Sequence, residues 1–257
     1  MKIAVINQKG GVGKTAVSNN LAYGLAVHKN KKVLLIDLDS QANATMLFFS
    51  EIPEDNTVNE VLRDKDYNLG NAIFQATVMQ GAEEVKNLFI LPSNAEMERT
   101  EEIVMSKRFR ESLLSKQLEK VEGLFDFIIM DCPAGTGLVT SNAVYAADKV
   151  LIPLDSSLEA LKGVANLFGS VDEIKDTEDF EGCFLLKNRV DARTTRVNEY
   201  GKDIIKGLGR NTLKTSIRSC ADVTTCGYFG KPVWLFDKNS NATKDFKALT
   251  NEIARLK

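Results

Sequence analysis

The sequence predicts a single α/β domain with a mostly parallel central β-sheet and helices on both faces. Short apolar runs rich in β-branched residues alternate with longer stretches of helical spacing, a pattern that favours parallel strands joined by helical crossovers. The strands are predicted at residues 3–6, 33–36, 88–91, 127–130, 150–152 and 183–186. The helices are predicted at residues 16–27, 137–147, 160–174 and 243–256. No repeat or linker-like tract divides residues 1–257, so we expect one domain with no DNA-binding extension before the first strand.

The composition is that of an ordinary globular protein. Hydrophobic residues make up 44% and charged residues 26%, and the net charge of −2 does not favour a basic nucleic-acid binder. The four cysteines form no CxxC pair and are expected to be reduced thiols. No apolar run approaches the ~18 residues of a membrane-spanning helix, and the N-terminus lacks the apolar region of a signal peptide. We therefore expect a cytoplasmic protein without stable membrane insertion.

The first predicted strand leads into a glycine-rich loop, Lys-Gly-Gly-Val-Gly-Lys-Thr at residues 9–15. Glycines let backbone N–H groups converge on phosphate oxygens, and the following helix adds the positive end of its dipole. Lys14 would supply charge near the β and γ phosphates of a nucleotide, and Thr15 can place its hydroxyl on Mg²⁺. The usual phosphate loop has a glycine where this chain has Gln8. The expected nucleotide contacts of the loop are Lys9, Gly10, Gly11, Val12, Gly13, Lys14, Thr15 and Ala16.

With its second lysine, this loop resembles the deviant Walker A motif of the ParA and MinD family of P-loop ATPases. In that family the first lysine reaches the nucleotide bound by the partner subunit. The resemblance therefore implies that Lys9 takes part in catalysis and couples ATP binding to homodimerisation. The alternative for Lys9 is a solvated loop lysine.

Two carboxylates, Asp37 and Asp39, follow the second predicted strand. In an open parallel sheet, ligands bind at the carboxyl ends of the strands, so both should lie near the phosphate loop. Residues 37–43 resemble the family's Asp-x-Asp-Pro-Gln-Gly-Asn element, which implies that Asp39 orients the attacking water and lies at the Mg²⁺ site. Ser40 and Ala42 replace the family's proline and glycine, changing loop stiffness but no functional group. Asp37 can be either a structural hydrogen-bonding partner or a ligand.

A third carboxylate, Asp131, ends the apolar run at residues 127–130. This is the pattern of a Walker B strand, so Asp131 is expected to hold Mg²⁺ through its water shell. The family resemblance implies that the loop with Gly135 and Gly137 senses the γ-phosphate. Ala134 stands where the family has a second proline.

Two late segments bear on the choice of base. Asn188 and Arg189 follow a predicted strand at the position where family members place an asparagine against adenine, and Pro232 lies in a second base-contacting segment of the family. Residues 188–191 also resemble the Asn-Lys-x-Asp motif of guanine-binding proteins. Adenine is thus favoured by resemblance alone.

A basic run at residues 187–218 holds 9 basic and 3 acidic side chains. Such a run can contact phosphates without reading sequence, although it can equally be a solvated helical face. ParA-type proteins bind nonspecific DNA through this late region. The candidate contacts are Lys214 and Arg218, with Lys202, Lys206 and Arg210 in the same run.

Together these features predict an ATPase that uses ATP and Mg²⁺, turns over slowly without a partner and serves plasmid or chromosome partitioning. The resemblance implies an ATP-bound homodimer that associates with nucleoid DNA and is reset by a ParB-like adaptor or centromere-binding protein. Three alternatives are a MinD-like membrane or protein-cargo switch, an iron–sulfur carrier of the same superfamily, and a scaffold that binds ATP without hydrolysis. The iron–sulfur alternative is disfavoured because no cysteine precedes Cys132 in this chain, whereas those proteins carry a second ligand upstream. The membrane alternative is disfavoured because the predicted C-terminal helix has mixed charge rather than the basic face that docks on lipid. The cargo stays open.

Overall fold

A computed structural model describes the chain except residues 50, 80–81, 156, 192, 194–202, 204–205, 208–210 and 257. Its described strands form one sheet in the order β3-β4-β2-β5-β1-β6-β7-β8. Every neighbouring pair is parallel except β3 and β4, which are antiparallel. The strands are β1 (Lys2–Asn7), β2 (Val33–Asp37), β3 (Phe74–Val78), β4 (Glu83–Leu91), β5 (Phe127–Ala134), β6 (Lys149–Leu154), β7 (Cys183–Val190) and β8 (Asn211–Arg218).

Helices connect most of these strands. A π-helical turn, Gly24–His28, continues the first helix, and short 3₁₀ turns lie at Leu69–Ala72 and Arg110–Ser112. The described α-helices are α1 (Lys14–Tyr23), α2 (Asn43–Phe48), α3 (Val58–Arg63), α4 (Met97–Met105), α5 (Leu113–Glu119), α6 (Leu138–Ala146), α7 (Leu158–Ile174), α8 (Ala221–Tyr228), α9 (Val233–Phe236) and α10 (Asn241–Ile253). None of the helices in the described part of the chain is long and apolar enough to cross a membrane.

The hydrophobic core has two layers, one on each face of the sheet. Successive side chains of a strand point to opposite faces, so Ala4 and Ile6 of β1 join one layer while Ile3 and Val5 join the other. Helices α3 to α7 cover the first layer, and α1, α2 and α8 to α10 cover the second. The predicted fold class is therefore confirmed.

The six predicted strands and four predicted helices are all present, but two strands were missed. β3 and β8 lie at the two edges of the sheet. Of the eight residues of β8, only Leu213 and Ile217 are buried, so the strand lacks the continuous apolar run that marks the inner strands. The helical interpretation of the basic run is wrong for Lys214 and Arg218, which lie on β8. Lys202 and Arg210 fall outside the described residues, and Lys206 is exposed.

The C-terminal helix α10 packs on its own domain. Its residues Phe246, Leu249 and Ile253 are at most 1% exposed. Its two carboxylates also face inward: Glu252 accepts hydrogen bonds from the backbone N–H groups of residues 214 and 215, and Asp245 accepts one from residue 218. These carboxylates satisfy the N–H groups of β8 at the edge of the sheet. The carboxylate oxygens of both acids are therefore turned toward β8.

Candidate nucleotide-binding site

The site lies where the central strands end. β1 sits between β5 and β6, and β2 lies on the far side of β5. The parallel register pairs Asp37 at the end of β2 with Asp131 on β5. The loop after β1 and the carboxylates after β2 and β5 thus converge at one edge of the sheet, as ligand sites in open α/β sheets do.

The glycine loop is held in shape by the end of β7. Gly11 and Gly13 have φ angles of 74° and 90°, the left-handed region that glycine adopts without steric cost. The amide of Asn188 donates to the Val12 carbonyl at 2.7 Å, and Arg189 Nη1 donates to the Gly11 carbonyl at 2.5 Å. A Cβ at position 13 would stand 2.6 Å from Asn188 Nδ2, so a larger residue would displace this clamp.

Lys14 is the buried cation of the site. Lys14 is the first residue of α1 and is only 7% exposed. Its Nζ donates a hydrogen bond to the Lys9 carbonyl at 3.3 Å. Burial lowers the pKa of Lys14, while the nearby Asp131, Cys132 and Asp39 raise it. A bound polyphosphate would favour the charged form further.

The surroundings of Asp131 fit a magnesium ion. The carboxyl group is fully buried, and its Oδ1 accepts a hydrogen bond from Ser18 Oγ at 2.8 Å. Burial raises the pKa of this carboxyl group, and the nearby hydroxyl groups of Ser18 and Thr15 oppose that rise. Oδ2 has no partner within the described part of the chain, and an orphaned buried oxygen calls for an ion or water. A hydroxyl and a carboxylate beside a phosphate loop are the ligands that Mg²⁺ takes in P-loop proteins.

Asp37 lies beneath Asp39 as a hydrogen-bonding partner. Its Oδ1 accepts from the Asp39 N–H at 3.1 Å, and its Oδ2 accepts from both the N–H and the hydroxyl of Thr45 at 2.8 Å. Burial is the main reason that the pKa of Asp37 rises to about 6. These bonds fix the loop that carries Asp39, whose own Oδ1 accepts from the Gln41 N–H at 3.0 Å. In this structure, Asp37 thus makes the contacts of a structural hydrogen-bonding partner.

Ala42 shows why the family has glycine at this position. Its φ of 51° and ψ of 34° lie in the left-handed region, which costs an L-residue about 1–2 kcal/mol relative to the right-handed one. The replacement of glycine therefore changes the energetics of the loop while leaving the functional groups in place.

Lys9 is ion-paired within its own chain. Its Nζ lies 3.3 Å from Asp155 Oδ2 and 2.8 Å from Ser157 Oγ, both just after β6. It is therefore not a freely solvated loop lysine. Its contact with a partner subunit's nucleotide stays a prediction.

A cavity of about 230 Å³ lies beside the glycine loop, in the region where the family resemblance predicts the base of a nucleotide. Asn188 and Arg189 line it, together with Ser219 and Cys220 from the end of β8. Pro232 does not line it among the described residues; it is buried, and the next residue donates its N–H to Asn20 Oδ1 of α1. A larger cavity of about 470 Å³ adjoins Thr15 between α1, α2 and α8.

The two candidate DNA contacts differ in availability. Lys214 is exposed. Arg218 makes a bidentate ion pair with Asp245, at 2.7 and 2.9 Å, and its side chain is 42% exposed. Asp245 thus compensates the charge of Arg218 before any phosphate arrives.

Sequence reasoning missed Ser18, Thr45 and Asp155. Ser18 follows Thr15 by three residues on α1, so the spacing already placed both hydroxyls on one helix face. Asp155 follows β6, and the rule that strand ends meet at one edge could have placed it beside the loop. Thr45 gave no signal, since its role depends on how α2 folds back over β2.

Three comparisons with known proteins agree with this geometry. The family model described as AAA domain matches residues 1–181. The sporulation initiation inhibitor protein Soj of Bacillus subtilis is 33% identical over 98% of this chain and 97% of Soj. The structure of Cyanothece apo McdA superposes with a TM-score of 0.84 at 20% identity, covering 98% of each chain. Cobyrinic acid a,c-diamide synthase from Mycobacterium smegmatis, with bound ATP analogue and magnesium, has a TM-score of 0.77 at 25% identity, covering 98% of this chain and 93% of the enzyme.

Proposed function

The chain belongs to the ParA/MinD family of P-loop ATPases, and from that premise we propose that it is a DNA-partitioning ATPase that works as an ATP-gated homodimer. ATP would close two subunits on each other, the closed dimer would bind plasmid or chromosomal DNA nonspecifically, and hydrolysis would reset it. The observation that carries the proposal is Lys9, the lysine that the loop has in addition to Lys14. Lys14 is buried at the site, whereas Lys9 stands at its rim in an ion pair that can be exchanged.

Each functional group has a separate part in hydrolysis. Lys14 would neutralise phosphate charge, and Asp39 would orient the attacking water. Thr15 and Asp131 would hold Mg²⁺, which supplies further charge stabilisation to the phosphates. Gln41 occupies one oxygen of Asp39, which supports slow turnover until a ParB-like adaptor rearranges the loop.

The base pocket supports adenine over guanine. Proteins with the Asn-Lys-x-Asp motif use its aspartate to accept from guanine. Here Arg193 holds both oxygens of Asp191, with Nε 3.0 Å from Oδ1 and Nη2 2.7 Å from Oδ2. This pair, mainly through the hydrogen bonds of Arg193, lowers the pKa of Asp191 to about 2. Asp191 is thus engaged by an arginine, and among the described residues it does not line the cavity beside the glycine loop.

Lys9→Ala tests the dimer. We expect wild type to dimerise with ATP but not ADP, and Lys9→Ala to stay monomeric while binding ATP within about twofold of wild type, because Lys14 and the glycine loop are untouched. Asp155→Asn, which weakens the hold on Lys9, should dimerise at lower ATP concentration. Light scattering and equilibrium binding of an ATP analogue measure both quantities. Lys86→Ala, an exposed lysine of β4, is the control, and a wild type that stays monomeric with ATP would refute the proposal.

The solvent face of α10 supports nonspecific DNA binding. Lys244 and Lys247 are exposed on it, and Arg255 is exposed just after its end, while Asp245 and Glu252 face β8. The outer face is therefore basic, which corrects the mixed charge expected from the sequence. Because the apolar residues of α10 are buried in the core, lipid docking by this helix would require its detachment. Phosphate contacts need only the exposed charges.

Lys244→Glu/Lys247→Glu tests this surface. We expect ATP-dependent retention on double-stranded DNA to weaken about tenfold or more and to lose part of its salt dependence. Nucleotide binding should stay unchanged. Arg218→Glu is a poorer test, since it would oppose Asp245 and destabilise the sheet edge. Lys65→Glu, exposed near α3 on the other face of the sheet, is the matched control, and undiminished retention by the double variant would exclude α10 as the DNA surface.

A further inference from the structure

Helix α4 contacts the loop that follows β2 and the first turn of α6, which comes directly after the loop that follows β5. Glu98 Oε1 accepts a hydrogen bond from the hydroxyl of Ser40, at 3.2 Å. Glu101 Oε1 accepts one from the backbone N–H of Val139, at 3.3 Å. Ser40 directly follows Asp39, and Val139 lies in the first turn of α6, just after the loop of Gly135 and Gly137. The two glutamates are three residues apart and so share one face of α4.

The contact between Glu98 and the Asp39 loop depends on Ser40, a residue that departs from the family element. Ser40 stands where the family element has proline, and proline has no hydroxyl to donate. The side chain that was expected only to change loop stiffness therefore ties the Asp39 loop to a neighbouring helix.

The contact between Glu101 and the first turn of α6 compensates for a missing side-chain cap at the N-terminus of that helix. The N-cap residue of α6 is Gly137, which makes no side-chain cap. Glu101 brings a carboxylate to that helix N-terminus, where negative charge is stabilising. The approach is close, because a Cβ on Gly137 would stand 2.5 Å from Glu101 Oε1. Glycine at this position lets α4 reach the loop.

Helix α4 is itself anchored on the domain. Met97 and Val104 are buried in the core layer beneath it, and Thr100 donates to Asn59 Oδ1 at 2.8 Å. An element fixed in this way can hold two loops in one relative arrangement.

We propose that Glu98 and Glu101 are positioning residues that couple the Asp39 loop to the Gly135–Gly137 loop through α4 during ATP hydrolysis. The inference rests on the proposed ATPase function. Neither glutamate lies in the glycine loop: Glu98 acts on the Asp39 loop through Ser40, and Glu101 acts on the first turn of α6, just after the Gly135–Gly137 loop. When one contact is lost, the loops no longer reach the hydrolytic arrangement together.

Single and double alanine variants at the two glutamates, measured for ATP turnover, ATP affinity and thermal midpoint, test the coupling. Each single variant should lower kcat about fivefold, as the loss of one hydrogen bond would, with KM for ATP nearly unchanged. The double variant should be little worse than either single, because the first loss already uncouples the loops. Glu98→Gln, which keeps an acceptor oxygen, should recover much of the loss. Glu102→Ala, exposed on the same helix, is the control.

Three results would overturn the coupling: unchanged kcat in both single variants, strictly multiplicative losses in the double, or losses in kcat that only follow losses in thermal midpoint. Gly137→Ala adds an independent check, because it should lower kcat in wild type but not further in Glu101→Ala. A wild type without ATPase activity would refute the proposed function, whereas an active wild type with insensitive glutamates would refute only the role of α4.

Discussion

Replacing Asp39 by alanine should lower ATP turnover by about a hundredfold or more while ATP still binds, since positioned acid–base groups contribute about that much. Asp39 follows β2 and does not belong to the glycine loop, whose shape is set by Asn188 and Arg189. The variant should therefore keep nucleotide affinity and lose only the hydrolytic step. A phosphate-release assay and equilibrium ATP binding separate the two effects.

The same variant should be trapped as an ATP-bound dimer, since hydrolysis is the step that opens the dimer in the proposed cycle. Asp66→Ala, an exposed carboxylate between α3 and the turn at Leu69–Ala72, is the matched control. If Asp39→Ala hydrolyses ATP at the wild-type rate, Asp39 does not handle the water. If it fails to dimerise with ATP while wild type does, Asp39 acts in closure instead.

The inner strands were predictable because they are buried on both faces. Runs such as Val33-Leu34-Leu35-Ile36 carry the whole signal locally. The edge strands were not, since β8 is half-exposed and depends on α10 for the partners of its N–H groups. Those partners lie more than 25 residues away in sequence, so no local pattern shows them.

The candidate site divides in the same way. Lys14, Asp39 and Asp131 were predicted because a phosphate loop and strand-end acids have a local pattern. The partner of Lys9 comes from the end of β6, and its identity needed the sheet order. The inward turn of Asp245 could have been anticipated, since it adjoins Phe246 and precedes Leu249 by four residues on the buried stripe of α10.

Asp131→Asn should abolish magnesium-dependent hydrolysis and yet stabilise the ligand-free protein at alkaline pH. Burial, followed by repulsion from Asp37, raises the pKa of Asp131 from 3.8 to about 7. The folded chain thus binds this proton more tightly than the unfolded chain does. The stability contributed by the protonated carboxyl group is fully present below pH 4 and is lost as the pH rises through about 7. Asparagine carries no charge at either end of that range.

The melting temperature of ligand-free Asp131→Asn should therefore exceed that of wild type at pH 8 by several degrees, since ~1 kcal/mol shifts a chain of this size by about 2–4 °C. The difference should shrink at pH 5, where the wild-type carboxyl group is protonated. Adding Mg²⁺ and ATP should reverse the order, because a ligand that binds only the folded state stabilises it by mass action. Asp66→Asn should show neither effect. A variant that is less stable than wild type at pH 8 would mean that the buried carboxylate already has its charge compensated without the metal, and the unpaired Oδ2 would then not mark a magnesium site.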